Sequence, residues 1–201
     1  GQPHEAVSET PPEAPSRAMF DDALVPASEQ VYGAGGAVIE SCWLASESGE
    51  RLNVVIAGDP VRWCFTVRFE ASVVSPVFSM MLKTRDGEAV FGTDSSRVGG
   101  APEAAVAGQT YVAEFLIDTH LAPDQYFLNC GVRRDTGDDS VFLSRRIDAA
   151  ILKVSSSEQS SSLVGAADLR ARLSVTPQTN DSRQANGSGQ PGDSRQASES
   201  G

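Results

Sequence analysis

Phe127, Asn129 and Arg133 share one parity along a period-two segment, so an extended chain carries a ring, an amide and a guanidinium on one side. Those three groups together suit a sugar. A flat aromatic face packs on pyranose C–H groups, while amides and guanidiniums hydrogen-bond the hydroxyls that fix orientation. Two further segments extend the set. Over residues 77–84, Phe78, Met80 and Leu82 form the apolar side, which leaves Ser79, Met81 and Lys83 on the other. Over residues 140–152, Phe142 joins them when Val141 and Leu143 face the core. If the three strands share a sheet, Met81, Lys83, Phe127, Asn129, Arg133 and Phe142 line one surface. Trp43, flanked by Cys42 and Leu44 as core residues, is a separate exposed candidate on a second sheet. The competing role for each aromatic is packing under a loop or against another subunit. Arg145-Arg146 reads as a solvated edge.

Catalytic chemistry finds no comparable grouping. His4 and His120 have no HxxxH companion for a metal, and no GxSxG nucleophile turn is present. A GxxxxGK[ST] phosphate loop is missing as well, so the ATPase chemistry of a P-loop is not in this sequence. Gly33-Ala34-Gly35-Gly36 leads into a strand where a phosphate-binding helix would have to begin, and is read as shaping the start of the first strand. Asp86/Glu88 and Asp138/Asp139 supply paired carboxylates of the kind a glycosidase needs, but each pair sits at a turn, where acids are ordinarily solvated. The chain is therefore expected to be a non-enzyme with no cofactor and no metal.

The 201 residues suffice for one well-buried domain with tails. The 40% hydrophobic content suits a soluble globular protein, and no apolar run approaches the roughly 20 residues of a membrane span. Net charge is −11, shared between the leader and the centre. A field of that sign repels polyphosphate, which argues against nucleic acid, and tolerates a neutral polysaccharide. Cys42, Cys64 and Cys130 are too few and too scattered for a disulfide framework or a zinc site. Their odd number, without a signal-peptide pattern, favours free thiols in a reducing compartment, with one disulfide between two of them left open.

Residues 1–29 are rich in Pro and acids and read as a linker, with Met19-Phe20 and Leu24-Val25 as local docking points. Residues 176–201 are nearly all Ser, Gly, Asn, Gln and Asp, carry DSRQA twice, and read as a disordered tail. Between them the period is two. Val61, Trp63, Phe65, Val67 and Phe69 alternate with Arg62, Cys64, Thr66, Arg68 and Glu70, which predicts a half-buried strand. Tyr126, Leu128, Cys130 and Val132 alternate with Phe127, Asn129, Gly131 and Arg133. Further strands are expected at 37–45, 51–56, 77–84, 89–93, 110–118, 140–152 and 165–175. The Arg85-Asp86-Gly87-Glu88 stretch predicts a hairpin turn between two of them, because Asp-Gly tolerates the positive φ of a tight reversal. Other turns fall at Gly58-Asp59-Pro60, Gly99-Gly100 and Thr136-Gly137-Asp138. Eight or nine short strands with this punctuation predict an all-β fold, an antiparallel sandwich over residues 30–175.

The order of four segments is also familiar. Tyr32-Gly33-Ala34-Gly35-Gly36-Ala37 leads into the first strand, Phe91-Gly92-Thr93-Asp94 closes the hairpin, and Leu121-Ala122-Pro123-Asp124-Gln125-Tyr126 opens another strand. A serine-rich spacer then precedes residues 163–173. Together they resemble the carboxy-terminal domain of Wzt-type ATP-binding subunits of O-antigen polysaccharide ABC exporters, with Asp124 where that family usually has Gly. The resemblance implies an immunoglobulin-like β-sandwich that binds the glycan to be exported, without catalysis of its own. It implies a homodimer whose last strand can be exchanged between subunits, and a missing ATPase domain that meets the membrane permease, with residues 1–29 as hinge. It also implies a location at the cytoplasmic face of the inner membrane without insertion into it. The runner-up is a dimerisation or adaptor sandwich that offers a sheet edge to protein partners.

Overall fold

The protein is described here by a computed structural model, which covers residues 18–136, 139–156 and 165–167. In chain order the strands are β1 (Ala18–Met19), β2 (Gln30–Tyr32), β3 (Ala37–Ala45), β4 (Val54–Ile56), β5 (Pro60–Phe69), β6 (Val73–Val74), β7 (Pro76–Lys83) and β8 (Ala89–Asp94). A single helical turn, α1 (Ser95–Val98), follows. The remaining strands are β9 (Ala104–Ala105), β10 (Thr110–Asp118), β11 (Asp124–Thr136) and β12 (Asp139–Ser155). The larger sheet runs β1-β4-β12-β11-β7-β8, with β2 also on β12, and the smaller one runs β10-β5-β3. Pairing is antiparallel apart from β4 with β12. The predicted all-β, immunoglobulin-like sandwich is what forms, and β7, β11 and β12 do share one sheet.

The sheets close on the residues that the alternation singled out. Val61, Trp63, Phe65, Val67 and Phe69 of β5 are all 0% exposed. Opposite them stand Phe78, Met80 and Leu82 of β7 and Tyr126, Leu128, Cys130 and Val132 of β11, all buried. Aromatic rings bridge the layers through Phe65 and Phe78 at 6.4 Å, and within the smaller sheet Phe65 stacks on Phe115 at 6.3 Å. The Tyr126 hydroxyl donates to the Ala122 carbonyl at 2.8 Å, the corner that fixes the approach to an F-type strand in immunoglobulin folds. Cys64, expected on a wet face, is buried instead. Its row on the smaller sheet is Trp43, Cys64 and Glu114, and the two larger side chains cover it.

The predicted hairpin holds. Thr84 and Glu88 close it through a 2.8 Å backbone bond, and Gly87 takes φ 89°. Residues 18–29, expected to be linker, lie against the sandwich: β1 pairs with β4, and the Asn53 amide donates to the Asp21 carbonyl while accepting from the Asp21 N–H, both at 2.7 Å. Backbone pairing does this, since Met19 and Phe20 keep their side chains exposed. Gly33 is required where the chain passes β12, because a Cβ there would lie 2.2 Å from the Leu143 carbonyl oxygen. Near the other end, Ala167 bridges Leu121. The rest of the predicted strand at 165–175, the leader residues 1–17 with His4, Gly137-Asp138 and the tail 176–201 lie outside the described residues.

Candidate functional site

The outward face of the larger sheet is built in rows. Register places Phe127 beside Lys83, Asn129 beside Met81 and Gly92, and Gly131 beside Ser79 and Arg145, with Asp94 next to Ser79. Arg133 pairs with Phe142 in the next row. The six candidates on this sheet therefore do share a face. They are not equally available on it.

Where the rows cross β7, β8, β11 and β12, a cleft of about 270 Å³ opens. Met81, Asn129 and Phe142 line it, together with Ser79, Gly92, Thr93, Asp94, Arg97 and Arg145. Its floor is low because two positions lack side chains. A Cβ on Gly131 would come within 2.7 Å of the Phe142 ring, and one on Gly92 within 3.7 Å of the Met81 methyl. The Arg145 guanidinium lies 4.6 Å from the Phe142 ring centroid and 5.8 Å from that of Tyr32 on β2. Cation–π contact of that kind holds a guanidinium flat without using its N–H donors. Among the described residues no carboxylate lies within ion-pair range of Arg97 or Arg145, so both keep donors for a guest.

The other candidates have structural work. Asn129 is 4% exposed rather than open to solvent, and its Oδ1 accepts the Asp148 N–H at 2.8 Å. It serves a bulge, for Asp148 takes φ 54° opposite Asn129. Lys83, expected to face a ligand, is paired with the Asp148 carboxylate at 2.6 Å, and Asp148 also accepts from Ser28 Oγ at 2.7 Å. Arg133 is occupied by Asp94 at 3.1 Å and Asp135 at 2.9 Å. Phe127 is half-buried and two rows from Gly131, outside the cleft lining. Trp43 lies on the outer face of the smaller sheet, with Arg51 5.8 Å from its ring centroid.

Arg145 is the main residue that the sequence reading passed over. The register shift between Val132 and Arg133 inserts an extra residue on β12, so Phe142 and Arg145, three apart, reach the same face. Strict alternation puts them on opposite faces. Arg146, its neighbour, is bound to Glu29 through Nε at 2.6 Å. Neither arginine is a solvated edge.

Asp94 joins the cleft to α1. It caps the helical turn by accepting the Ser96 N–H at 3.0 Å. Burial pushes its carboxyl up, but the Ser96 hydrogen bonds and the Arg133 guanidinium outweigh that and leave it below its ordinary value. A carboxyl held low in the fold contributes stability that is full above its unfolded pKa and disappears as pH falls through the folded one. Asp94→Asn is therefore expected to cost about 1 kcal/mol at neutral pH, a cost that shrinks as pH falls below the ordinary carboxylate range and is gone only under the lowered folded value. Thermal melts of both proteins across that range check it.

Fold and cleft define an immunoglobulin-like β-sandwich with an open groove across its larger sheet. The chain belongs to the Wzt C-terminal domain family, whose sequence profile matches residues 28–169. Among solved structures it is similar to one described as the crystal structure of the C-terminal domain of Wzt. The TM-score is 0.66 and the identity 25%, over 75% of this chain and 90% of that one. No curated protein matches the chain. Among the described residues no helix is long and apolar enough to cross a membrane, and no group of three His, Cys, Asp or Glu is placed to hold a metal ion.

Proposed function

We propose that the domain binds an O-antigen-type polysaccharide in the cleft between β7, β8, β11 and β12, and so gives an ABC exporter its substrate recognition. The observation that carries this is the Phe142 ring backed by the Arg145 guanidinium at 4.6 Å. A sugar face packs on the ring, while Arg145, Arg97, Thr93 and Asp94 offer donors and acceptors to hydroxyls around it. Met81 supplies adaptable apolar contact. Such a site recognises and holds a glycan. ATP hydrolysis belongs to a separate domain, with the leader residues as the connection, at the cytoplasmic face of the membrane.

Retention of native O-antigen on the immobilised domain tests it. Phe142→Ala and Arg145→Ala are each expected to weaken retention by at least about tenfold, near 1.4 kcal/mol, with the melting temperature little changed. Trp43→Ala, on the other sheet, should leave retention intact. Equal retention by all three variants overturns the assignment.

The second reading, a dimerisation or adaptor sandwich, draws on β10. That strand pairs only with β5 and leaves its other edge open among the described residues. Val112 and Leu116 are exposed on it, beside a second cleft of about 400 Å³ lined by Val98, Ala101, Pro102, Tyr111, Val112 and Phe115. A dimer on gel filtration that shows no glycan retention favours this second function. A dimer that retains glycan fits the first, with exchange of the C-terminal segment that docks at Leu121.

A further inference from the structure

Cys42 on β3 and Cys130 on β11 belong to opposite sheets, yet their Sγ atoms lie 3.5 Å apart. They are 88 residues apart in the chain, and both are free thiols. One cysteine on each sheet, with the second on the strand that carries the tyrosine corner, is the placement of the inter-sheet disulfide in antibody domains. The bonded S–S distance is about 2.05 Å, so closure asks the two sulfurs to approach by roughly an ångström and a half.

The three thiols of the chain sit in different surroundings. Cys64 faces outward on the smaller sheet with Glu114 Oε1 at 3.9 Å, and burial and that carboxylate push its thiol up to about 11. Cys42 is only half-buried. The hydrogen bond from Cys130 holds it below the ordinary thiol value, against the opposing effect of burial, and the Arg146 guanidinium adds to the lowering. Cys130 is raised by the same hydrogen bond and by burial. Cys42, the less buried and more acidic of the two, is thus the better attacking thiol, with Cys130 behind it as the resolving one, the division of labour that thiol–disulfide exchange uses.

We propose that Cys42 and Cys130 are a redox pair that closes to an inter-sheet disulfide by exchange with a small disulfide of the glutathione class. The Cys42 thiolate attacks one sulfur of that disulfide, forms a mixed disulfide and expels one small thiolate, which takes up the proton that Cys42 had released. Cys130 then gives its proton up and attacks Cys42 Sγ. The mixed disulfide breaks, and the second small thiolate leaves and takes that proton. The protein loses two electrons and two protons, and the small disulfide is reduced to two thiols. In a reducing compartment the pair stays open. When closed, it ties the smaller sheet to Cys130, which lines the cleft together with its neighbour Asn129.

The test uses the full chain, folded, with oxidised glutathione as the probe. Alkylation and intact mass should show the free thiols fall from the three in the sequence to Cys64 alone. The mass should drop by two hydrogens, and peptide mapping should find a Cys42–Cys130 link. The melting temperature should rise by roughly 5–15 °C, because a long loop is closed in the unfolded chain. Cys42→Ser and Cys130→Ser should each abolish the rise. A persistent glutathione adduct on Cys42, a bond between two chains, or three thiols still free overturns the proposal. The wild-type peptide map decides it even if a variant does not fold.

Discussion

Lys83→Met is expected to destabilise the domain by about 3 kcal/mol while leaving glycan retention unchanged at temperatures where it stays folded. The Lys83 ammonium is 2.6 Å from Asp148, and the two side chains are only 18% and 10% exposed. Removing the cation leaves a carboxylate in a place where water cannot compensate it. Asp148 is also the residue that takes positive φ in the β12 bulge and holds Ser28 of the leader. The damage therefore spreads to β2 and to the register of the larger sheet. Adding Asp148→Asn to Lys83→Met removes the stranded charge and should recover most of the loss, since a buried ion pair and its neutral replacement are often close in energy. Denaturant midpoints with an unchanged slope measure both steps. Loss of glycan retention in the folded single variant would instead return Lys83 to the binding surface.

Phe65→Ala should cost about 4 kcal/mol, the upper range for a buried aromatic. Phe65 is 0% exposed and packs on three rings, Trp63 at 6.4 Å, Phe78 at 6.4 Å and Phe115 at 6.3 Å. Those neighbours come from β5, β7 and β10, so the ring joins the two sheets at their centre. Truncation leaves a cavity that backbone on either side cannot close without breaking ladder hydrogen bonds. Phe65→Leu refills part of that volume and should recover about half of the loss. Chemical denaturation of the three proteins ranks them, and Phe65→Ala within 1 kcal/mol of wild type, a change typical of an exposed site, would show that the core closes elsewhere.

The hydrophobic set of each long strand was readable from alternation alone, because a strand with one dry face must write its burial into every second residue. β5, β7 and the first half of β11 followed that rule, and so did the assignment of Met81, Lys83, Asn129, Arg133, Phe127 and Phe142 to one face. The turn at Gly87 was equally legible, since only a few residues accept its φ. Four short strands (β1, β2, β6 and β9) and α1 were not, for a two- or three-residue segment has no periodicity to detect. Residues 18–29 dock through backbone and through Asn53, neither of which needs apolar side chains, so composition carried little sign of how they attach.

What residue type and parity determined was the fold class, the core and which residues share the outward face of the larger sheet. Which side chains on that face remain available was decided by tertiary structure. Asn129, Lys83 and Arg133 had the right chemistry and the right direction, but Asp148 pairs with Lys83 and engages the Asn129 Oδ1, and Asp94 and Asp135 pair with Arg133. Arg145 had the wrong parity until a bulge between β11 and β12 turned it onto the face with Phe142. The approach of Cys42 to Cys130 across the sandwich is a contact between sheets, and one-dimensional spacing carries no record of it. Alternation encodes the side of a strand; partners and bulges depend on how strands from distant parts of the chain register against one another.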